Sequence, residues 1–110
     1  MEEIIKKIEI HQDNPDELSK IGLELASELF YHNTRMSMAE LKEKQTVIDY
    51  IKEASTRGEK RSVAESELYG VTETFNDYGK LKAQAEAIIE ILNMIKVRIK
   101  VLSNEKELSK

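Results

Sequence analysis

Cysteine is absent from the 110 residues, which excludes disulfides, thiolate metal sites and thiol nucleophiles together. Tryptophan is absent too, aromatics make up 5% of the chain, and a single proline accompanies four glycines. Sheets want β-branched and aromatic residues with frequent turn signals, so this shortage points to long, uninterrupted helices. No apolar run approaches the ~20 residues that a bilayer crossing needs. The opening MEEIIKKIEIHQDNP starts with acids and lacks an apolar segment and a small-residue cleavage site. It is not read as a secretory signal, and the expected location is cytoplasmic.

What is present is charge and aliphatic carbon: 35% charged residues, 40% hydrophobic, and a formal net charge of −4. The length suits one domain, residues 1–110. Ile4, Ile5, Ile8 and Ile10 lie among charges in a short amphipathic segment, 1–12. The alternation Ile8-Glu9-Ile10 leaves a strand open, but a lone strand would need a partner from another chain, which favours helix. Asn14-Pro15-Asp16-Glu17 is the clearest helix start. Asn14 caps, Pro15 suits the first helical position, and the two acids meet the positive end of the helix dipole. A first long helix is predicted over 15–57, with apolar positions recurring at helical spacing through Leu18, Ile21, Leu25, Leu29, His32, Met36, Leu41, Val47, Ile48, Ile51 and Ala54. A helix of ~40 residues is ~60 Å long. Its pattern drifts through 33–46, so a kink near Thr34–Met38 is the alternative.

Gly58 is placed to end that helix as a left-handed C′ residue. Ser62-Val63-Ala64-Glu65 has the capping-box pattern that opens a short helix, 62–70. Gly70, followed by Thr72 and Thr74, is expected to interrupt it. The second long helix is predicted over 75–107. Tyr78, Leu81, Ala85, Ile88, Leu92, Ile95, Ile99 and Leu102 alternate steps of three and four, a heptad stripe. The fold expected is all-α: an antiparallel pair of long helices reversing through 57–74, with short helices at the N-terminus and in the turn.

Chemistry finds little support. His11 and His32 are the only imidazoles, and His32 falls on the apolar stripe, where a packing role is favoured over ligation. Glu65 with Glu67, and Glu86 with Glu90, read as solvated helix faces, because a four-helix di-iron site needs Glu-x-x-His motifs that are missing. No G-x-S-x-G elbow occurs. Gly22, Gly58, Gly70 and Gly79 are too scattered for a phosphate loop. The chain is expected not to be an enzyme and to hold no cofactor or metal.

Two surfaces remain. Arg57, Lys60 and Arg61 at the turn, with Tyr69, Lys80 and Lys82, form a candidate nucleic-acid patch, with Phe75 and Tyr78 as further rings for base stacking. A solvated loop with its aromatics packed beneath the short helix is the favoured reading of these residues. Lys96, Arg98 and Lys100 add basic charge along the second helix, opposite an acid-rich N-terminus, and such opposed charges are suited to orienting protomers. The other surface is apolar. Between 88 and 102 the second long helix is hydrophobic nearly all round, which one partner helix in a small chain does not cover. Ile88, Ile91, Met94, Ile95, Val97 and Val101 are therefore the candidate self-association face, with a homodimer as the expected assembly.

Residues 58–110 also carry a resemblance. Gly58-Glu59-Lys60-Arg61-Ser62-Val63-Ala64-Glu65-Ser66-Glu67, then a heptad helix ending Ile95-Lys96-Val97-Arg98-Ile99-Lys100-Val101-Leu102-Ser103, is similar to small helical bacteriophage and prophage proteins often encoded near single-strand annealing or recombination genes. In that group a first long helix leads into a G-K-S-V-A-E-like cap, a short helix and a last long helix. The resemblance implies an accessory role in phage DNA recombination or replication, in the host cytoplasm, with no catalytic residues to carry over. The leading expectation is a non-catalytic helical adaptor acting by protein–protein binding. A single-stranded DNA-binding accessory protein and a small phage inhibitor of a host defence complex are the alternatives. Nucleic acid is the less favoured partner, and a membrane is not expected.

Overall fold

A computed structural model describes residues 2–108, the side chains of 106–108 excepted; Met1, Ser109 and Lys110, which the single-domain reading includes, lie outside the described residues. Among the described residues four helices follow one another: α1 (Glu2–Ile10), α2 (Pro15–Thr56), α3 (Val63–Glu73) and α4 (Asp77–Leu108). No strand occurs among the described residues, and the long helices α2 and α4 pack against each other. Residues 8–10 are helical, and α2 runs unbroken through Thr34–Met38. Among the described residues no helix is long and apolar enough to cross a membrane.

The helix ends follow from local chemistry. Asn14 Oδ1 accepts a 3.2 Å hydrogen bond from the Glu17 N–H, capping α2 directly ahead of Pro15. At its other end Gly58 sits at φ 73°, while the Glu59 N–H bonds Ala54 O and the Gly58 N–H bonds Ser55 O. These paired bonds are the Schellman pattern, and glycine adopts the left-handed backbone it needs without steric cost. Ser62 Oγ accepts from the Glu65 N–H at 3.1 Å, which is half of the expected capping box. The other half is replaced: Glu65 Oε1 is held by Tyr50 and Arg61.

The chain divides into two compact units, Met1–Tyr31 with Ala85–Lys110, and His32–Gln84. In the first, Leu18, Ile21 and Leu25 of α2 form a buried core with Ile88 and Ile95 of α4. The helices run antiparallel, Gly22 lying over Ile95 while Arg98 reaches Gln12 and Asp13. Ile4 and Ile8 of α1 also pack on this core, as do Ile91, Leu92, Ile99 and Leu102. This corrects the expectation that α4 lacks cover within its own chain, because α1 supplies a second neighbour. Ile88 and Ile95 are interior residues and Ile91 is half-buried, so all three leave the candidate self-association face. Met94, Val97 and Val101 stay exposed. Arg98 donates to Gln12 O at 2.9 Å and to Asp13 at 2.7 Å, tying the α1–α2 turn to α4. Opposed charges thus meet inside one chain.

In the second unit α3 folds back along α2. Its inward residues are small: Ser66, Gly70 and Thr74 are buried against a surface that includes Ala54, also buried. Gly70 does not interrupt α3, which continues to Glu73. A Cβ at Gly70 would overlap Val47 Cγ2 and lie 3.4 Å from Glu43 O. The glycine therefore permits the close approach of the two helices. The last helix begins at Asp77 rather than at Phe75 because Phe75 and Asn76 both turn left-handed, at φ 56° and 55°.

Gly70→Ala gains up to ~1 kcal/mol of helix propensity but overpacks a stiff β-branched neighbour at a cost of ~1–3 kcal/mol. The expected result is a lower melting midpoint, recovered when Gly70→Ala is made in a Val47→Ala background; an unchanged midpoint for Gly70→Ala alone would refute the close contact. Ser62→Ala is expected to cost ~1 kcal/mol through the lost cap, read by the same melts.

Candidate protein-binding surface

The small-residue contact between α2 and α3 decides where the large side chains go. Helical geometry places Glu43, Val47, Tyr50 and Ala54 on the side of α2 that meets α3. Leu41, Lys44, Ile48 and Ile51 occupy the neighbouring side, at steps of three, four and three. All four are exposed, Leu41 to 68%. On α3, Val63, Leu68 and Val71 are likewise exposed. Between the helices Glu43, Lys44, Val47, Ile48, Glu67 and Val71 line an open apolar groove of ≈ 490 Å³. Its floor is aliphatic and its banks carry Lys44 on α2 and Glu67 on α3, with Lys44 also 3.0 Å from Glu40.

Tyr50 and Tyr69 hold the same two helices together, stacked with ring centroids 4.0 Å apart and planes 12° from parallel. The Arg61 guanidinium lies 5.4 Å from the centre of the Tyr50 ring and pairs with Glu59 at 2.8 Å and Glu65 at 3.2 Å. The Tyr50 hydroxyl donates to Glu65 at 3.2 Å. This cluster uses two members of the candidate nucleic-acid patch: Arg61 is already ion-paired, and one face of the Tyr69 ring is covered. The remaining members are not brought together. Because α3 runs back along α2, α4 starts beside Ala39, where Asp77 and Lys80 line an open hollow with Arg35. Arg57 follows the last residue of α2, 18 residues beyond Ala39 and about 27 Å away by helical rise. Arg57 and Lys60 therefore sit at one end of α3, and Lys80 and Lys82 beyond the other. Phe75 is exposed and Tyr78 half-buried.

Other candidate groups have plain local roles. His32 Nε2 lies 3.0 Å from Gln84 Oε1. Among the described residues no group of three or more His, Asp or Glu side chains is placed to hold a metal ion. In the first unit Asn93, Met94, Val97, Arg98 and Val101 line a second open hollow of ≈ 540 Å³, which retains the exposed half of the expected self-association face.

Sequence reasoning missed the α2–α3 groove by placing Leu41, Ile48 and Ile51 in one apolar series with Val47 and Ala54. A signal was present. Leu41 and Ile48 stand seven apart, as do Lys44 and Ile51, while Val47, Tyr50 and Ala54 form a second stripe beside them. On α3, Ser66, Gly70 and Thr74 at steps of four mark the side that meets another helix closely.

Desolvation of its hydroxyl, and then the hydrogen bond to Glu65, hold the Tyr50 pKa above the ordinary 10.0, against the opposing charge of Arg61. The folded chain thus keeps a proton at pH values where the unfolded chain has lost it. The resulting stability is full below the ordinary value and is lost as pH rises above it. Absorbance titration is expected to show one of the four tyrosines ionising late, a step that Tyr50→Phe removes. Above pH ~10 the wild-type melting midpoint should fall more steeply than that of Tyr50→Phe; parallel curves would contradict the assignment.

No protein-family model, curated protein or solved structure matches the chain, so the functional reading rests on the geometry above.

Proposed function

We propose that this chain is a non-catalytic helical adaptor that acts by protein–protein binding and self-associates. The resemblance of residues 58–110 to phage proteins encoded near recombination genes supports a setting in phage DNA recombination or replication. One observation carries the reading. In the unit His32–Gln84 the residues buried between α2 and α3 are small, while Ile48 of α2 and Val71 of α3 face water in the open groove between the two helices. Scattered apolar residues on a surface need no explanation, but exposed aliphatics that share one apolar groove are characteristic of protein-binding sites.

The single-stranded DNA reading draws less support from the geometry. Its cations are divided between the two ends of α3, and Arg61 already has two carboxylate partners. Phosphate binding depends on several cations acting together and gives a steep decline of affinity with salt.

Light scattering across a dilution series is expected to give a mass above that of the 12.7 kDa chain. Binding to single-stranded DNA is expected to be weak at physiological salt. A monodisperse monomer at high micromolar concentration would remove self-association, and tight DNA binding with a steep salt slope would favour a nucleic-acid function instead.

A further inference from the structure

We infer that residues 74–76 are a two-state hinge, at which α3 and α4 either break apart, as they do here, or join into one unbroken helix over 63–108. The hinge is independent of the binding roles proposed above, and three observations converge on it. First, the inward side of α3 continues into α4 in phase. Ser66, Gly70, Thr74, Tyr78, Leu81 and Ala85 are each buried or half-buried, at steps of four and three. That is the spacing of a single amphipathic helix, although two left-handed residues stand between Thr74 and Tyr78. A break that only set two separate helix directions has no need to keep their phase. Second, α3 and the start of α4 advance along α2 as one helix does. Gly70 lies against Glu43 and Val47, while Gln84 meets His32. Fourteen residues separate Gly70 from Gln84, a spacing bracketed by the eleven from His32 to Glu43 and the fifteen from His32 to Val47. Straightening the junction therefore keeps its register on α2. Third, the broken form carries strain that an unbroken helix lacks. Phe75 and Asn76 lie at φ 56° and 55°; asparagine tolerates that region, and phenylalanine does not. Phe75 is exposed, so packing does not hold it there.

The hydrogen bonds at the junction exchange rather than disappear. In the broken form the Phe75 N–H bonds Thr72 O at 3.1 Å and the Asn76 N–H bonds Val71 O at 2.8 Å. In an unbroken helix the same two donors trade acceptors, Phe75 to Val71 and Asn76 to Thr72. What favours the break is local. Thr72, Thr74 and Asn76 are weak helix formers, and Gly79 leaves room for Asn76, whose Oδ1 a Cβ at Gly79 would overlap. Each form satisfies one set of local preferences and violates another, which is the condition for a bistable element. In the broken form α3 adjusts on α2 without α4; in the unbroken form the two move as one rod.

Solution NMR of the whole chain tests the hinge. Relaxation dispersion reports microsecond-to-millisecond exchange, and the Cα shifts of residues 75 and 76 distinguish left-handed from right-handed backbone. Two variants supply the reference states. Phe75→Gly relieves the left-handed position and weakens an unbroken helix, so it is expected to lower the ratio of unbroken to broken form about tenfold. It should also raise the melting midpoint. Phe75→Ala with Asn76→Ala is expected to raise that ratio about tenfold. Both positions are exposed, which spares the core. In wild type the amide signals of Gly70 and Gly79 are expected to show exchange if the states interconvert slowly. If they interconvert fast, those signals should lie on the line joining the two references.

Left-handed shifts at 75 and 76 in all three proteins, without exchange, would show a fixed break and overturn the hinge. So would a double-alanine chain whose Gly70 and Gly79 signals coincide with those of Phe75→Gly. If the double-alanine chain does not fold, the other two proteins decide. A wild type without exchange, together with a melting midpoint that Phe75→Gly fails to raise, overturns the inference.

Discussion

The close approach of α3 to α2 at Gly70 is the constraint on which the second unit depends. Helix axes come that near only where side chains between them are absent or short, and Ser66, Gly70 and Thr74 supply that spacing at every fourth residue. Each polar group in the contact is satisfied locally. Ser66 donates to Ser62 O at 2.9 Å and Thr74 to Gly70 O at 2.8 Å. The energetic consequence is a thin core. Small residues remove little apolar area from water, so most of the aliphatic surface of this unit lies outside the contact. The same geometry turns the chain so that α4 starts beside Ala39 rather than beside the turn at Gly58, and this divides the basic residues.

The first unit solves the opposite problem. Its long helices carry large aliphatics, and α1, anchored through the α1–α2 turn by Arg98, packs Ile4 and Ile8 on the core that α2 and α4 share. The Arg98–Asp13 pair itself is exposed, and exposed pairs contribute little stability. Its importance is positional, since it holds the turn that directs Ile4 and Ile8 onto the core.

Phe75 departs from what helix-end chemistry alone would select. The Asn76 N–H bonds Val71 O and the Phe75 N–H bonds Thr72 O, the same pattern that Gly58 completes at the end of α2. Here a phenylalanine takes the left-handed position at a cost of about 1–2 kcal/mol, and the residue is 76% exposed. Packing within the unit does not repay that strain.

The sequence by itself determined the fold class, the order of the helices and most of their ends. These features are written in local chemistry: Asn14-Pro15 opens α2, Gly58 closes it, Ser62 caps α3, and a heptad stripe from Tyr78 to Leu102 is buried or half-buried throughout. Tertiary structure decided which of two adjacent apolar stripes on α2 turns inward, because Leu41 and Val47 are equally hydrophobic to any periodic test and only α3 chooses between them. It also decided that α1 packs on the core that α2 and α4 share, and that Glu65 serves Tyr50 and Arg61 instead of completing its cap. The candidate groove was therefore the least legible feature of all. Its two banks come from different helices, 19 or more residues apart in sequence, and the glycine that brings them together reads, without its neighbour Val47, as a helix breaker.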